Sequence, residues 1–424
     1  MALELLQRWG RGRAPADELL DEALVRSGLS STDRALVTEL FYGCLRRRLA
    51  LGYLLGRVAG KPPRPVVANI LKLGLYQLLF LDKIPVHAAV HETVELAKAR
   101  QRGISPAEAG FVNAVLRRVA QNRAAYATEL GATRESEPWV YFSHPQWLWT
   151  RWAARWGAAD TAALCEWNNT PPPIYIRVNR LKVDGQAPAE PRPPDDIPVE
   201  PCAFHPLCWR VTDPSGLFDT EPWKRGGYYA QDPSTLVAVD LLDPQPGEAV
   251  LDMCAAPGGK TTYIAQKMQN RGKIVAADSS GERLQRLIEN CRRLGVTIVA
   301  TLPCEGTRLD RCLRGATYDR VLVDVPCSNT GVLRRRVDLR WRLQEKELAR
   351  LAALQQRLLK TAASLTRPGG VLVYSTCSLE PEENERVVEP FCRSNPQFAL
   401  ETTRSLFPPR DGVDGAFIAR FAKH

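Results

Sequence analysis

The chain has 424 residues, a net charge of +10, 25% charged residues and 45% hydrophobic ones, the make-up of a soluble globular protein of two to three domains rather than a disordered chain. No run approaches the eighteen or more apolar residues of a membrane span, and Met1-Ala-Leu-Glu-Leu lacks the basic segment and apolar core of a signal peptide. Eleven cysteines, an odd number scattered along the chain, point to reduced thiols in a cytoplasm and away from a disulfide scaffold.

Residues 1–125 read as helices. Apolar residues recur at three- and four-residue spacing over Ala16 to Arg26, Asp33 to Leu55, Val66 to Phe80, Val86 to Arg100 and Pro106 to Gln121. Ser31 and Ser105 stand where two of these helices need caps. The first 130 residues carry 19 Lys/Arg against 12 Asp/Glu, a net +7, which suits a polyanionic partner. Arg46-Arg47-Arg48 is the densest basic cluster, and it reads equally as a nucleic-acid contact or a solvated helix end. His87 and His91 are four apart on a helix but have no carboxylate or cysteine at matching spacing, so packing explains them better than metal binding. The stretches Ile84-Pro85-Val86-His87-Ala88-Ala89-Val90-His91-Glu92 and Gly110-Phe111-Val112-Asn113-Ala114-Val115-Leu116-Arg117 resemble the helical domain of the NusB antitermination family. That family binds RNA, so the resemblance implies an RNA partner here.

Residues 126–143 are polar and acidic and read as a linker. Residues 144–235 read as a small α+β subdomain. It opens on an aromatic helix from Trp147 to about Trp156, in which Trp147, Trp149, Trp152 and Trp156 suit a core. A strand over Ile174 to Asn179 follows, and residues 183–199 are a proline-rich acidic loop. Cys202, His205 and Cys208 lie close together without zinc-finger spacing or a second ligand pair, so no metal site is expected.

Residues 236–424 alternate strand and helix. Candidate strands at 248–252, 273–278, 297–302, 319–325, 370–376, 397–402 and 416–421 predict a mainly parallel, doubly wound sheet of seven strands. The last two have no helix between them and suit a hairpin-like pair at one edge. The stretch Val250 to Thr262 reads as a strand, a small-residue turn and a helix start. Glycines let a backbone approach a ligand closely, and exposed helix N–H groups favour polar or anionic groups. Two ligands fit such a turn. Gly259-Lys260-Thr261 ends like a phosphate loop, but Cys254 stands where the first glycine belongs and Pro257 removes an N–H. An adenosine cofactor held by its ribose instead needs an acid at the end of the next strand, about twenty residues past Gly258, and Asp278 stands there.

Two further strands end in Asp324-Val-Pro-Cys327-Ser328 and Ser375-Thr-Cys377-Ser378. A thiol beside an adenosine cofactor suits methyl transfer to carbon 5 of a pyrimidine. That carbon is a poor nucleophile until a thiolate adds to carbon 6. A nearby cation such as Lys260 favours the thiolate, Asp324 is placed for the N3 edge of the base, and the base must leave its stack.

Asp252-Met-Cys-Ala-Ala-Pro-Gly-Gly-Lys260, Asp324-Val-Pro-Cys-Ser328 and Ser375-Thr-Cys-Ser-Leu-Glu-Pro-Glu-Glu-Asn384 resemble the three signatures of RNA 5-methylcytosine methyltransferases. With the NusB-like front, the whole chain is similar to the Sun/Fmu/RsmB group, which methylates small-subunit ribosomal RNA. The resemblance implies an all-α NusB-like domain, a small α+β RNA-binding domain and a Rossmann-like class I methyltransferase domain. It implies S-adenosylmethionine held by Cys254, Ala255, Ala256, Pro257, Gly258, Gly259 and Lys260, with Asp278 on the ribose and Asp324 near the methyl donor and the target base. Cys377 becomes the nucleophile and Cys327 the thiol that assists release. Glu305 stands where the group has an aspartate near the adenine. Val337 replaces a proline common to the group, which suggests a looser loop. Arg334, Arg335, Arg336, Arg340 and Arg342 of that loop suit phosphate contacts. The expected protein is a cytoplasmic monomer that binds RNA and no membrane. A transfer-RNA methyltransferase, a nucleotide hydrolase and a non-catalytic RNA-binding factor are its rivals.

Overall fold

The computed structural model describes residues 1–12, 14–99, 103–182 and 197–424. Contacts divide the chain into one unit of Met1–Pro171 with Leu333–Arg342, and another of Pro172–Val332 with Leu343–His424.

The first unit is helical. Helices run over Ala2–Arg11, Ala16–Val25, Ser31–Arg46, Arg48–Ala59, Pro65–Phe80, Val86–Lys98, Pro106–Gln121, Arg123–Ser136, Pro138–Tyr141 and Gln146–Asn168. The Pro65–Phe80 helix is apolar on several faces and buries Ile70, Leu71, Leu73, Leu75 and Leu78, as a helix enclosed by neighbours does. A Cβ on its Gly74 would come within 2.6 Å of Leu116, so that glycine sets how closely the Pro106–Gln121 helix packs. Ser105 caps that helix in a capping box with Glu108.

Several expectations need correction. The Ala2–Arg11 helix, with Leu3, Leu5 and Leu6 buried, was not anticipated. Asp33 to Leu55 is two helices broken at Arg47, and the cap is Ser30, whose side chain accepts from Asp33 N. The stretch 126–143 is largely helix rather than linker. The aromatic helix continues to Asn168 across a break at Gly157 (φ 81°). Of its tryptophans, Trp149 and Trp152 are buried, while Trp147 and Trp156 are half-buried. His87 and His91 are exposed rather than packed. Arg46 is buried, Arg47 lies 5.2 Å over the Phe80 ring and Arg48 5.2 Å over Trp9, so the triplet is not a plain solvated end. Arg100 and most of the 183–199 loop lie outside the described residues.

The chain returns to this unit over Leu333–Arg342. Val337 is buried in the helical core, so it anchors the segment and does not loosen it. Asp338 accepts from Ala16 N at 3.1 Å, and Trp341 donates to Leu45 O at 2.8 Å. Arg340 is fully buried and donates to Asn169 Oδ1 and Asn168 O, both at 2.8 Å. Arg334 donates to Pro171 O at 2.9 Å and lies over Trp167. Arg342 pairs with Asp338 at 2.9 Å, and Arg336 lies 3.7 Å from Asp17. Arg340, expected on phosphate, is thus an internal strut. Truncating it strands several buried carbonyls, and Arg340→Ala is expected to cost about 3–5 kcal/mol, read as an earlier unfolding transition of the helical unit in urea; an unchanged transition would refute this.

The second unit contains two sheets. Strands β1 (Ile174–Val178), β2 (Val199–Pro201), β3 (Cys208–Val211) and β4 (Tyr228–Ala230) form a small antiparallel sheet in the order β2-β3-β1-β4. His205 beside it bonds to Asp240 at 3.0 Å. Strands β5 (Ala249–Asp252), β6 (Lys273–Asp278), β7 (Val299–Pro303), β8 (Tyr318–Asp324), β9 (Thr366–Thr376), β10 (Phe398–Leu406) and β11 (Ala416–Lys423) form the large sheet in the order β10-β11-β9-β8-β5-β6-β7. Strands β5 to β9 are parallel, and β11 runs antiparallel between β9 and β10. Successive residues bury on opposite faces, Val250 on one and Leu251 on the other, Leu322 on one and Val323 on the other, as expected of a sheet covered on both sides. The seven expected strands all form, within a few residues of their expected bounds.

Candidate active site

Three features of the sequence converge at the carboxyl edge of the parallel strands, where open α/β sheets take ligands. The turn after β5 is stitched to both neighbours: Met253 N donates to Leu322 O and Ala255 N to Ala277 O, each at 2.9 Å. Gly258 (φ 106°) caps the Gly259–Lys267 helix without any side-chain bond, leaving first-turn N–H groups for a ligand. A Cβ there would lie 2.9 Å from Leu287, so only glycine fits.

Asp278 ends β6 and is buried. Its Oδ2 accepts from Ala256 N at 3.2 Å and its Oδ1 from Ser280 N at 3.0 Å. Each oxygen retains a lone pair, enough for a ribose hydroxyl. Arg283 donates to Ala256 O at 2.6 Å and lies 3.5 Å from Asp278, fixing turn and acid together. Burial first, then the charges of Asp324, Asp252 and Asp278, push the Cys254 thiol up, so it stays neutral. Glu305 follows β7, is exposed and lies 3.3 Å from Arg308. The donors and acceptors of this cradle fit an adenosine cofactor.

Asp324 ends β8. Its Oδ2 lies 2.7 Å from Lys260 Nζ, and its Oδ1 accepts from Ser375 Oγ. Burial alone would lower the Lys260 ammonium, but the charge and hydrogen bond of Asp324 outweigh it and the net shift is upward. Asp252, buried beside them, has its carboxyl pushed up to about 7, chiefly by burial and further by the Asp324 charge, against the bond from Thr261 Oγ1 at 2.7 Å.

The two cysteines meet. Cys327 Sγ and Cys377 Sγ are 3.2 Å apart, and Cys377 Sγ lies 2.9 Å from Asn329 Oδ1. Both are free thiols; Cys327 is buried and Cys377 half-buried. The hydrogen bond with Cys377, then burial, then the charges of Cys377 and Glu383 push the Cys327 thiol well up. The pair therefore offers one sulfur more open to a ligand and one that keeps its proton.

Four participants had no role in the sequence reading. Ser375 pairs in register with Asp324, which the spacing of the two strand-end motifs could have shown. Asn329 (φ 57°) follows Cys327-Ser328 and bonds both cysteines, donating to Cys327 O at 2.8 Å. Glu383 sits inside a quoted motif without an assigned function. Arg177 of β1 is buried against the turn after β5, donating to Gly259 O at 2.9 Å and Thr262 Oγ1 at 3.1 Å; a lone arginine in an apolar strand was its only signal.

Residues 239–422 match the family model of the 16S rRNA methyltransferase RsmB/F, residues 1–121 that of the NusB family and residues 144–216 that of the RsmF/B-like ferredoxin-like domain. A probable ribosomal RNA small subunit methyltransferase B of Bacillus subtilis is 34% identical, across 100% of this chain and 98% of its own. One of Synechocystis is 36% identical with the same coverage. The crystal structure of PH0851 is 27% identical with a TM-score of 0.79, covering 100% of this chain and 97% of that one. No helix among the described residues is long and apolar enough to cross a membrane.

The Asp252 proton gives a test of this electrostatic arrangement. A folded-state value above the ordinary carboxylate value of about 4 means that the folded protein holds the proton more tightly than the unfolded chain. Its contribution to stability is complete below about pH 4 and is lost as the pH rises through about 7. Asp252→Asn keeps an acceptor for Thr261 and is expected to flatten the fall in melting temperature between about pH 5 and about pH 8. A variant that melts with the wild-type pH profile would sink the assignment.

Proposed function

The chain belongs to the 16S rRNA methyltransferase RsmB/F family, and we propose that it methylates carbon 5 of a cytosine in small-subunit ribosomal RNA through a covalent adduct on Cys377. S-adenosylmethionine is the cofactor, and it supplies an electrophilic sulfonium methyl group. The observation that carries the reading is the pair of sulfurs 3.2 Å apart on the same strand edge as the 2.7 Å Lys260–Asp324 pair.

In this reading the turn Cys254 to Lys260 lines the cofactor with backbone groups, Asp278 takes the ribose hydroxyls and Glu305 the adenine side. Cys377 adds as a thiolate to carbon 6 of the extruded base. The new S–C6 bond shifts the ring's double-bond electrons onto carbon 5, which can then form its bond to the methyl carbon. Asp324 sits at the N3 edge and shares a proton there as charge builds. Lys260 holds Asp324 in place and adds positive charge near Cys377. A base then removes the carbon 5 proton, the C5–H electrons reform the ring double bond, and the S–C6 electrons leave with Cys377. Cys327, in contact with the departing sulfur, supplies its proton.

Two substitutions test these roles. Cys377→Ala is expected to reduce methylation to background and to form no adduct. Cys327→Ala should instead accumulate a protein–RNA adduct that survives denaturant, because only release is impaired. Bisulfite mapping of ribosomal and transfer RNA, with gel shifts in denaturant, reads both. An adduct with Cys377→Ala would reverse the assignments, and methylation confined to transfer RNA would overturn the substrate.

A further inference from the structure

The turns that follow the two cysteines share one internal carboxylate. Glu383 is fully buried. Its Oε1 accepts from Ser328 N and from Gln355 Nε2, both at 2.9 Å. Its Oε2 accepts from Ser378 Oγ at 2.5 Å and from Ser328 Oγ. Ser328 directly follows Cys327, and Ser378 directly follows Cys377. Gln355 also donates to Pro326 O at 3.0 Å, so the residues on both sides of Cys327 are tied to the same group. The two serine hydroxyls lie 3.0 Å apart.

A fully buried carboxylate whose donors are a backbone N–H, two serine hydroxyls and an amide, none of them cationic, is a costly way to join two turns, since desolvating it takes several kcal/mol. A neutral side chain could bridge two serines. What a neutral side chain lacks is a fixed negative charge behind one sulfur, with bonds strong enough to hold sub-ångström geometry. The charges around the sulfurs are unequal. Cys327 is faced by Glu383 and Cys377, with Tyr374 behind it. Cys377 faces the cationic Lys260, itself bonded to Asp324.

We propose that Glu383 is a positioning residue that clamps the turns after both cysteines, holds their sulfurs in contact and, by its charge beside Cys327, makes Cys377 the nucleophile. The inference rests on the reading of Cys377 as the attacking thiol. Glu383 touches neither cofactor nor base and acts through Ser328 and Ser378. Losing the clamp displaces both sulfurs by fractions of an ångström, and losing the charge lets Cys327 ionise at lower pH and compete as a nucleophile.

Glu383→Gln keeps the shape and the acceptor oxygen while removing the charge. It is expected to lower kcat about 100-fold with KM for S-adenosylmethionine within about twofold, a split that general unfolding would not give. In RNA-free protein, alkylation of Cys327 by iodoacetamide, followed by mass spectrometry across pH, should move to lower pH. Ser328→Ala and Ser378→Ala, which keep the charge but cut single arms, should each lower kcat less and leave the alkylation profile near wild type. Should Glu383→Gln fold poorly, Ser378→Ala carries the clamp test alone. Wild-type kcat together with a wild-type alkylation profile in Glu383→Gln overturns the inference. If wild-type protein forms no adduct with RNA containing 5-fluorocytidine, which blocks release, the methyl-transfer reading fails. The alkylation profile still decides whether Glu383 governs the sulfurs.

Discussion

The parallel register of β5, β8 and β9 is the constraint on which the site depends. Asp252 lies opposite Leu322, and Asp324 opposite Ser375. Parallel strands bring their carboxyl ends to one edge, so residues at similar offsets past each strand become neighbours. Two residues beyond Ser375 comes Cys377, and three beyond Asp324 comes Cys327. Val325 N to Ser375 O at 3.0 Å and Gly331 N to Cys377 O at 2.9 Å continue the pairing past the sheet. A slip of one residue would turn every side chain to the opposite face and part the sulfurs. The apolar residues buried on both faces, each worth about 1.5–3 kcal/mol, make that slip prohibitive. Core packing and reactive geometry are therefore one constraint.

On that edge, charge is distributed by scarcity. Lys260 is the ammonium that Asp324 holds, and Asp324 also takes the Ser375 hydroxyl. Asp252 receives a hydroxyl from Thr261 and lies deeper. Two carboxylates near one cation in a low dielectric cannot both stay charged cheaply, so the deeper one holds its proton more tightly. Asp324 is the half-buried carboxylate that stays bonded to the lysine, on the same strand edge as the sulfurs. The same division appears in the thiols, where the buried Cys327 keeps its proton and the half-buried Cys377 is the one a ligand can reach.

Most of this sheet was legible in the sequence because its strands are short apolar runs ending in Asp252, Asp278, Asp324 and Thr376, each followed by turn residues. Period and punctuation agreed there. They disagreed in the helical unit. Asp33 to Leu55 keeps helical spacing through Arg47, so the break is invisible to periodicity and is set by packing. Residues 126–143 look polar because only Leu130 and Thr133 of the Arg123–Ser136 helix are buried; a helix with so narrow a buried stripe resembles a linker. Arg334 and Arg340 were legible as cations but not as internal struts, since their acceptors are carbonyls and Asn169, far away in sequence. Glu383 and Arg177 escaped for the same reason: their partners are backbone groups and small polar side chains, which leave no charge pattern.

The sheet edge also ties down the side chains of Lys260 and Thr261. In a phosphate loop the lysine must be free to reach phosphate oxygens, the loop N–H groups must point inward and the hydroxyl must bind a metal. Here Lys260 is bound to Asp324 at 2.7 Å, Thr261 donates to Asp252 at 2.7 Å, and Pro257 has no N–H to give. Arg177 occupies the carbonyl of Gly259 from behind, stiffening the first helical turn. Freeing the lysine for a phosphate would strip half-buried Asp324 of its cation, a cost that a polyphosphate, itself needing desolvation, would have to exceed. The lysine is committed instead to Asp324 and the threonine to Asp252, so neither side chain is available to a polyphosphate and its metal.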